Sequence, residues 1–505
     1  MKPLLRCAAV RAIETAALAR GEALMARAGL AAANTARKLF TGTHLRERVL
    51  VLAGPGNNGG DGFEAALHLR AWGFAVTVCC VAPATPLPAD AARAHAAWAA
   101  QGGACARELP ALAEFDLVID AIFGIGLTCE LTPPYTGWIA CVNAAVVPVL
   151  ALDVPSGLDA DSGHIHGIAI RATRTLTFIA DKPGLHTHHG TDCAGEIEIA
   201  GLDLRTQIVP GPDSGTLLEP ADFSACLAPR LRNTHKGTYG TLGIVGGAPG
   251  MSGAVLIAAR AALKLGAGKV IGAMLDASLS FDPLYPEVML RDDTGAPGAD
   301  FDAAVVGPGL GQSDSARALL DAHAAIACPL VLDADALNLI ALDARLAARI
   351  TRRGHPTVLT PHPLEAARLL GQSLAAVQRD RVAAALALAR TYNAQVVLKG
   401  AGSVIATPQD RWRINPSGNP GMAAGGMGDA LAGIAGAFIA QGFAVADAVA
   451  AAVYLHGAAA DALVARGVGP VGLIAGETVD EARTIWNGWI NATARSQGPP
   501  YAARR

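Results

Sequence analysis

The stretch Asn419-Pro-Gly-Met-Ala-Ala-Gly-Gly-Met-Gly-Asp429 is glycine-dense, ends in a carboxylate, and runs straight into an apolar helical stretch, Ala430 to Ile439. A loop of this kind aims several backbone N–H groups at one point, where the positive end of the helix dipole adds to them. That is a place to hold phosphate oxygens, and Asp429 at its rim can take the proton of a hydroxyl that attacks the phosphate. The plain alternative is a glycine turn with an aspartate N-cap.

A second cradle, Gly54-Pro-Gly-Asn-Asn-Gly-Gly-Asp-Gly62, follows the apolar run Val49–Ala53 and precedes the helical run Phe63–Trp72. Strand, glycine loop and helix in that order form a credible phosphate or ligand cradle. The glycines are not in dinucleotide register, and no acidic residue closes a strand about 20 residues on. Asn57, Asn58 and Asp61 add side-chain oxygens. Asp120 closes Leu117–Asp120 and leads into Phe123-Gly-Ile-Gly-Leu127; Asp153 closes Val149–Asp153 and leads into Val154-Pro-Ser-Gly-Leu-Asp159. Carboxyl ends of parallel strands face one crevice, so Asn58, Asp120, Asp153 and Ser156 are expected to converge there. Hard oxygens of this type suit a group I or II cation.

The second half carries an ordered series of such loops: His235-Lys-Gly-Thr-Tyr-Gly240, Gly246-Gly247, Gly307-Pro-Gly-Leu-Gly311, Asp333-Ala-Asp-Ala-Leu-Asn338, Thr360-Pro-His-Pro-Leu-Glu365 and Lys399-Gly-Ala-Gly-Ser403. Each follows or ends an apolar run. Singly, GPGLG reads as a turn and His362 as a structural histidine; the ordered series points to one face of one sheet.

The elements that must position these loops are short continuous Val/Ile/Leu strands alternating with Ala-rich helices. In the first half they are Val49–Ala53, Val76–Val81, Leu117–Ala121, Val149–Leu152 and Thr175–Phe178. In the second they are Gly243–Gly247, Ala303–Val306, Leu330–Leu332, Val358–Leu359 and Val396–Leu398, with helices such as Ala254–Leu265 and Arg381–Arg390 between. This pattern predicts βαβ units and mostly parallel, doubly covered sheets. Val10–Leu39 reads as a pair of helices on the first sheet. Ile208–Gly215 is turn-rich and reads as a linker, and the polar tail after Asn491 as frayed.

At 505 residues, with 52% hydrophobic and 16% charged residues, the chain exceeds one core. A net charge of −3 and a pI near 6.5 argue against a nucleic-acid partner. The nine cysteines, such as Cys79-Cys80 and Cys141, show no metal spacing and read as buried hydrophobes of a reducing compartment. No signal peptide or membrane span is expected, which points to a cytoplasmic protein without a membrane partner.

The set GPGNNGGDG, DAIFGIGL and LDVPSGLDADSG resembles the NAD(P)H-hydrate epimerase family over residues 1 to about 205. GNPGMAAGGMGD, TPHPLE, KGAGS and DADALN, in order, resemble the ribokinase-like superfamily and, within it, the ADP-dependent NAD(P)H-hydrate dehydratases, from about 222 to 492. The resemblance implies an α/β chain of two domains: a Rossmann-like three-layer sandwich over residues 1–210, a linker over 211–221, and a ribokinase-like α/β/α domain over 222–495. It implies epimerisation of R and S hydrates of NADH or NADPH, and ADP-driven dehydration of the S form. In the first domain Asn57, Asn58, Gly59, Gly60, Asp61, Gly124, Gly126 and Asp153 would contact substrate, Asp153 as catalytic residue. Asn58, Asp120 and Ser156 would hold K⁺. In the second, Lys399, Gly400, Ala401, Gly402, Ser403 and Gly428 would bind the nucleotide with Mg²⁺. Ala254, Gly309, His362 and the catalytic Asp429 would line the hydrated nicotinamide. A homo-oligomer is also implied. The chain departs from the family at Thr128-Cys-Glu130, where an arginine is usual. Two other readings compete: a ribokinase-like sugar or vitamin kinase with a non-catalytic binding domain, and a first domain that is only a scaffold.

Overall fold

Strands that are apolar at every position have to be covered on both faces, and the computed structural model shows what covers each. It describes residues 2–40, 47–81, 86–204, 214–276, 278–291 and 301–496. The chain divides into two compact units between Gly215 and Thr216. Of the expected linker, residues 208–213 lie outside the described residues, while Gly215–Leu217 is a strand and Pro220–Leu227 forms 3₁₀ turns.

The first unit holds a parallel sheet of seven strands. Across it run Cys105–Ala106, Ala75–Cys80, Arg48–Ala53, Leu117–Ala121, Val149–Leu152, Arg174–Phe178 and Glu196–Ala200. Val49, Val51, Leu117 and Ile119 pack with Ala28, Ala32, Phe63 and Ala65 of the helices Leu24–Leu39 and Asn57–Ala71. The alternate residues Leu50, Leu52 and Val118 pack with Trp138, Ile139 and Val142 of Tyr135–Ala144. The period of two therefore builds three layers. Chain order reverses between Arg48–Ala53 and Leu117–Ala121, so a crevice opens beyond the carboxyl ends of those two strands.

In the second unit the order is Gly215–Leu217, Trp412–Ile414, Val404–Ala406, Gln395–Leu398, Thr357–Leu359, Leu330–Leu332, Ala303–Val306, Thr241–Gly246, Lys269–Met274 and Met289–Arg291. Among the described strands of this unit, only Val404–Ala406 runs antiparallel to its neighbours. Leu242, Ile244, Val305, Val331 and Val397 share one cluster with the helices Ser252–Lys264, Met427–Ala440, Val445–Ala465 and Ala475–Ser496. On the other side Arg381–Tyr392 covers Gln395–Leu398 and Val404–Ala406. The order reverses again between Ala303–Val306 and Thr241–Gly246. The expected two-domain α/β architecture is the one the chain adopts.

Several expectations need correction. The helix after Gly54 begins at Asn57, not Phe63, because Gly56 caps it. Ala475–Ser496 is helical through the residues expected to fray, held by Trp486, Trp489 and Ile490 on the core; residues 497–505 lie outside the described residues. All nine cysteines are free, but Cys129 and Cys141 are exposed rather than buried. Lys269–Met274 and Glu196–Ala200 escaped notice because a lysine and glycine, or two glutamates, interrupt their apolar run. Val445–Ala465 is long and apolar enough to cross a membrane, yet 67% of its apolar window is buried in the fold, as a core helix would be.

Met427–Ala440 lies so close to Ser252–Lys264 that a Cβ on Gly433 would stand 2.2 Å from the carbonyl oxygen of Ala258. Gly433→Ala should therefore lower stability by about 1–3 kcal/mol in urea unfolding. Gly488→Ala, with nothing within 4 Å, should raise it by roughly 0.5–1 kcal/mol. The opposite ordering would contradict this backbone-to-backbone packing.

Candidate active sites

In the first unit the Gly54 amide donates to the Ala121 carbonyl at 3.0 Å, tying the first glycine loop to the strand that carries Asp120. Asn57, Asn58, Gly59, Gly60 and Asp61 sit on the first turns of Asn57–Ala71, not on a loop. The unpaired N–H groups and positive dipole of that helix start thus stand beside the strand ends. Asn57 is exposed and Asn58 buried. Neither Oδ1 nor Nδ2 of Asn58 has a hydrogen-bond partner.

Asp120 is fully buried. It accepts from the Ser156 hydroxyl at 2.6 Å and the Ser156 amide at 2.8 Å, and burial pushes its carboxyl up to about 6 against these bonds. The Ser156 hydroxyl also accepts from the Phe123 amide at 2.9 Å. A Cβ on the next residue, Gly124, would lie 3.5 Å from the Asn58 Cγ and 2.8 Å from Asp153 Oδ2. The structure therefore gathers Asn58, Asp120, Ser156 and Asp153 around the Phe123–Gly124 turn. Only glycine at 124 leaves the approach to the Asp153 carboxylate clear. Gly126 borders open space. Amide, carboxylate and hydroxyl oxygens are a donor set for a hard cation, and the orphaned Asn58 amide is the group such an ion would satisfy.

Asp153 adopts a left-handed φ of 65°, an uncommon conformation for a non-glycine residue and one that concentrates at functional sites. Its Oδ1 forms an ion pair with Lys182 Nζ at 2.8 Å. Lys182 is fully buried, and its ammonium also donates to Thr177 Oγ1 at 2.7 Å, Phe178 O at 3.1 Å and Ala180 O at 3.3 Å. Asp153 Oδ2 accepts from the Ile125 amide at 3.2 Å. The sequence reading missed Lys182; its signal was a lysine placed four residues past an apolar strand, before Pro183-Gly184.

The helix Cys7–Ala19 also reaches this place. Arg11 Nη2 donates to the Ile125 carbonyl at 2.9 Å, bringing a guanidinium to the second glycine loop, whereas Thr128, Cys129 and Glu130 are exposed. Burial, and next the charge of Asp153, raises Glu14. The same two causes raise Asp61 well above the usual carboxylate range.

In the second unit Gly426, at a left-handed φ of 87°, caps Met427–Ala440, so Asp429 is the third helical residue and not the cap. A Cβ on Gly428 would stand 3.3 Å from Lys399 Nζ and 3.4 Å from Asp333 Oδ2. Lys399 and Asp333 are themselves joined at 2.6 Å, with the Asp333 side chain 2% exposed. Burial would lower the Lys399 ammonium, but the charges of Asp333 and Glu365 outweigh it and hold it above its ordinary value. Burial, then the Asp333 charge, pushes Asp429 up to about 7. A carboxyl tuned close to neutrality is what a general base needs.

His362 caps Pro363–Leu370: its Nδ1 accepts from the Leu364 amide at 3.0 Å and the Glu365 amide at 3.3 Å, while its own amide donates to Glu365 Oε2 at 2.8 Å. Burial and the Lys399 charge lower its pKa. The imidazole is thus neutral, with its proton on Nε2. Burial raises Glu365 to about 7. Gly309 abuts Ala254: a Cβ there would meet the Ala254 Cβ at 3.2 Å. The Ser403 hydroxyl accepts from the Gly400 amide at 3.2 Å and donates to the Gly400 carbonyl at 3.0 Å, closing the Lys399–Ser403 turn. Asn419, at the start of the glycine loop, instead bonds Asp461 at 2.9 Å and serves as an anchor. The role of Asp333 had gone unassigned.

The family described as NAD(P)H-hydrate dehydratase matches residues 242–472, and the one described as YjeF-related protein N-terminus matches residues 21–184. The bifunctional NAD(P)H-hydrate repair enzyme of Escherichia coli is 38% identical over 472 residues, covering 92% of this chain and 89% of its own. The chain belongs to the bifunctional NAD(P)H-hydrate repair enzymes. Its activities are accordingly those of an NAD(P)H-hydrate epimerase and dehydratase, and the kinase reading is not favoured. The enzymes of the same description from Moorella thermoacetica and Leishmania braziliensis are 37% and 35% identical, over 90% and 94% of this chain and 91% of each of theirs. Among solved structures, the ADP/ATP-dependent NAD(P)H-hydrate dehydratase of Bacillus subtilis, co-crystallised with ATP/Mg²⁺, is 30% identical. It covers 55% of this chain and 99% of its own, with a TM-score of 0.49.

The raised Asp429 carboxyl carries a stability consequence. Its pKa is 3.8 when unperturbed and about 7 in the fold, so folding takes up a proton between those values. Stability from this group falls as pH rises through that window. Asp429→Asn should be more stable than the parent at pH 8 in urea unfolding, and the difference should close as pH approaches 4. A variant less stable at pH 8 would contradict the burial account.

Proposed function

We propose that each unit runs one reaction with its own carboxylate, Asp153 for epimerisation and Asp429 for dehydration. The observation that carries the reading is the Asp429 carboxyl, held near 7 at a helix start beside Lys399 and Gly428. Lys399, Gly400, Ala401, Gly402, Ser403 and Gly428 take ADP; Ala254, Gly309, His362 and Asp429 take the hydrated nicotinamide ring. Asp429 removes the C6 hydroxyl proton, and that oxygen bonds to the terminal phosphorus of ADP as the bridging P–O bond breaks and AMP leaves. Lys399 and the Gly426–Gly428 amides offset charge on the phosphoryl oxygens. Mg²⁺, carried with the nucleotide, supplies further neutralisation of phosphate charge. The ring nitrogen's lone pair then expels phosphate from C6, a C5 proton is lost, and NAD(P)H is restored. Hydroxide is a poor leaving group, which is why a nucleotide is consumed.

In the first unit, a proton is passed through Asp153 to the C6 hydroxyl, the C6–O bond breaks and water leaves as the ring nitrogen's lone pair forms a C=N bond that makes C6 planar. Asp153 then takes a proton from the water as its oxygen bonds to C6 from either face. Lys182 holds Oδ1 and leaves Oδ2 towards the Gly124 side. Asn58, Asp120 and Ser156 would hold K⁺, which supplies fixed positive charge at the pocket floor. Substrate would lie over Asn57, Gly59, Gly60, Asp61, Gly124 and Gly126.

Asp429→Asn should still bind ADP while dehydration of the S hydrate falls by about 10²–10⁴-fold. In the parent, the rate should drop as pH falls below about 7, because protonation removes the base. Recovery of reduced-nicotinamide absorbance reads both, and near-normal turnover in the variant would remove Asp429 from the base role.

Asp153→Asn, given a mixture of R and S hydrates with ADP, should restore only the S portion and then stall. Parent protein should consume both. Complete conversion by the variant would show that Asp153 is not needed for epimerisation.

A further inference from the structure

Arg381 is a charge that the fold alone does not explain. It opens the helix Arg381–Tyr392 and is 2% exposed. Among the described residues no carboxylate pairs with it. Its Nη2 donates to the carbonyls of Leu398 and Lys399, each at 3.2 Å, and its Nη1 to Gln378 Oε1 at 3.3 Å. Its buried Nε has no partner. Burial pulls the guanidinium down to about 10.

Two physical terms act against this placement. A buried charge met only by neutral acceptors retains much of its desolvation penalty. A cation in the first turn of a helix also faces the positive end of the dipole. A methionine of similar volume would avoid both.

The position supplies the explanation. A Cβ on Gly400 would stand 2.6 Å from Nη1 and 2.8 Å from Nη2, so the guanidinium lies directly under the Gly400 α-carbon. Gly400, at a φ of 141°, is the one residue type that fits there. Arg381 thus grips the Leu398 and Lys399 carbonyls from below while its charge stays unneutralised behind the turn. We infer that Arg381 is a positioning residue of the nucleotide site: it presets the Lys399–Ser403 turn and lends it positive potential, and the phosphates of ADP supply the missing counter-charge. This rests on the reading of Lys399–Ser403 as the nucleotide loop. It makes nucleotide binding, rather than folding, the beneficiary of the buried charge.

The test compares Arg381→Met and Arg381→Lys in the full chain, with ADP affinity from calorimetry, unfolding in urea without nucleotide, and KM for ADP and for the S hydrate. Loss of the charge should weaken ADP binding by about tenfold and raise KM for ADP, with KM for the hydrate unchanged. Arg381→Lys should keep most of the affinity, and the unfolding midpoint of Arg381→Met should equal or exceed the parent's. Unchanged ADP affinity in Arg381→Met would overturn the inference. So would equal losses of stability and affinity in both variants, which would make Arg381 a structural brace. Should Arg381→Met not fold, Arg381→Gln carries the same comparison; failure of both neutral variants to fold would mean that the fold itself needs the charge. Gly402→Val separates the two levels of the argument. If it too binds ADP normally, the nucleotide loop itself is misassigned; if it weakens ADP while Arg381→Met does not, only the role of Arg381 fails.

Discussion

Each unit depends on a lysine held by an aspartate at the carboxyl ends of parallel strands: the buried Lys182 against Asp153 at 2.8 Å and the half-buried Lys399 against the buried Asp333 at 2.6 Å. Pairs of this kind are poor sources of stability, because desolvation offsets most of their attraction. What they provide is charge fixed in position. In the first unit the lysine holds one oxygen of the Asp153 carboxylate. In the second it stands beside Gly428, while its aspartate partner helps to raise Asp429. The sheets follow from that need: strand ends come together in a crevice only where parallel strands are covered on both faces and the chain order reverses.

The two crevices differ in how they treat charge. Around Asp153, the carboxyls of Glu14 and Asp61 are raised by burial and next by the charge of Asp153. Asn58 presents an amide with no partner. That arrangement calls for a cation. Around Asp429 the lysine and the helix start supply positive charge, and the neutral His362 adds a donor at Nε2. That arrangement calls for an anion.

Much of this was legible in the sequence, for a physical reason. Strand-end residues such as Asp120, Asp153, Lys399 and Gly309 announce themselves because an apolar run stops at a polar or glycine residue, and the topology then gathers them. The start of the helix at Asn57 was not legible, since three glycines among its first six residues mask a helix that tertiary packing against Leu24–Leu39 enforces. Contacts between distant segments were equally hidden. Arg11 reaches Ile125 across 114 residues, and nothing in either segment marks the other. Lys182 and Arg381 were not singled out, because sequence does not reveal that a charged side chain has been folded inward.

The central claim is that Asp429 is a base tuned by burial and by Asp333. The most direct measurement is a pH titration of aspartate carboxyls by ¹³C NMR, with Asp429 identified by its absence in Asp429→Asn. The account predicts that the lost resonance titrates near 7. A lost resonance titrating near 4, the ordinary aspartate range, would contradict it.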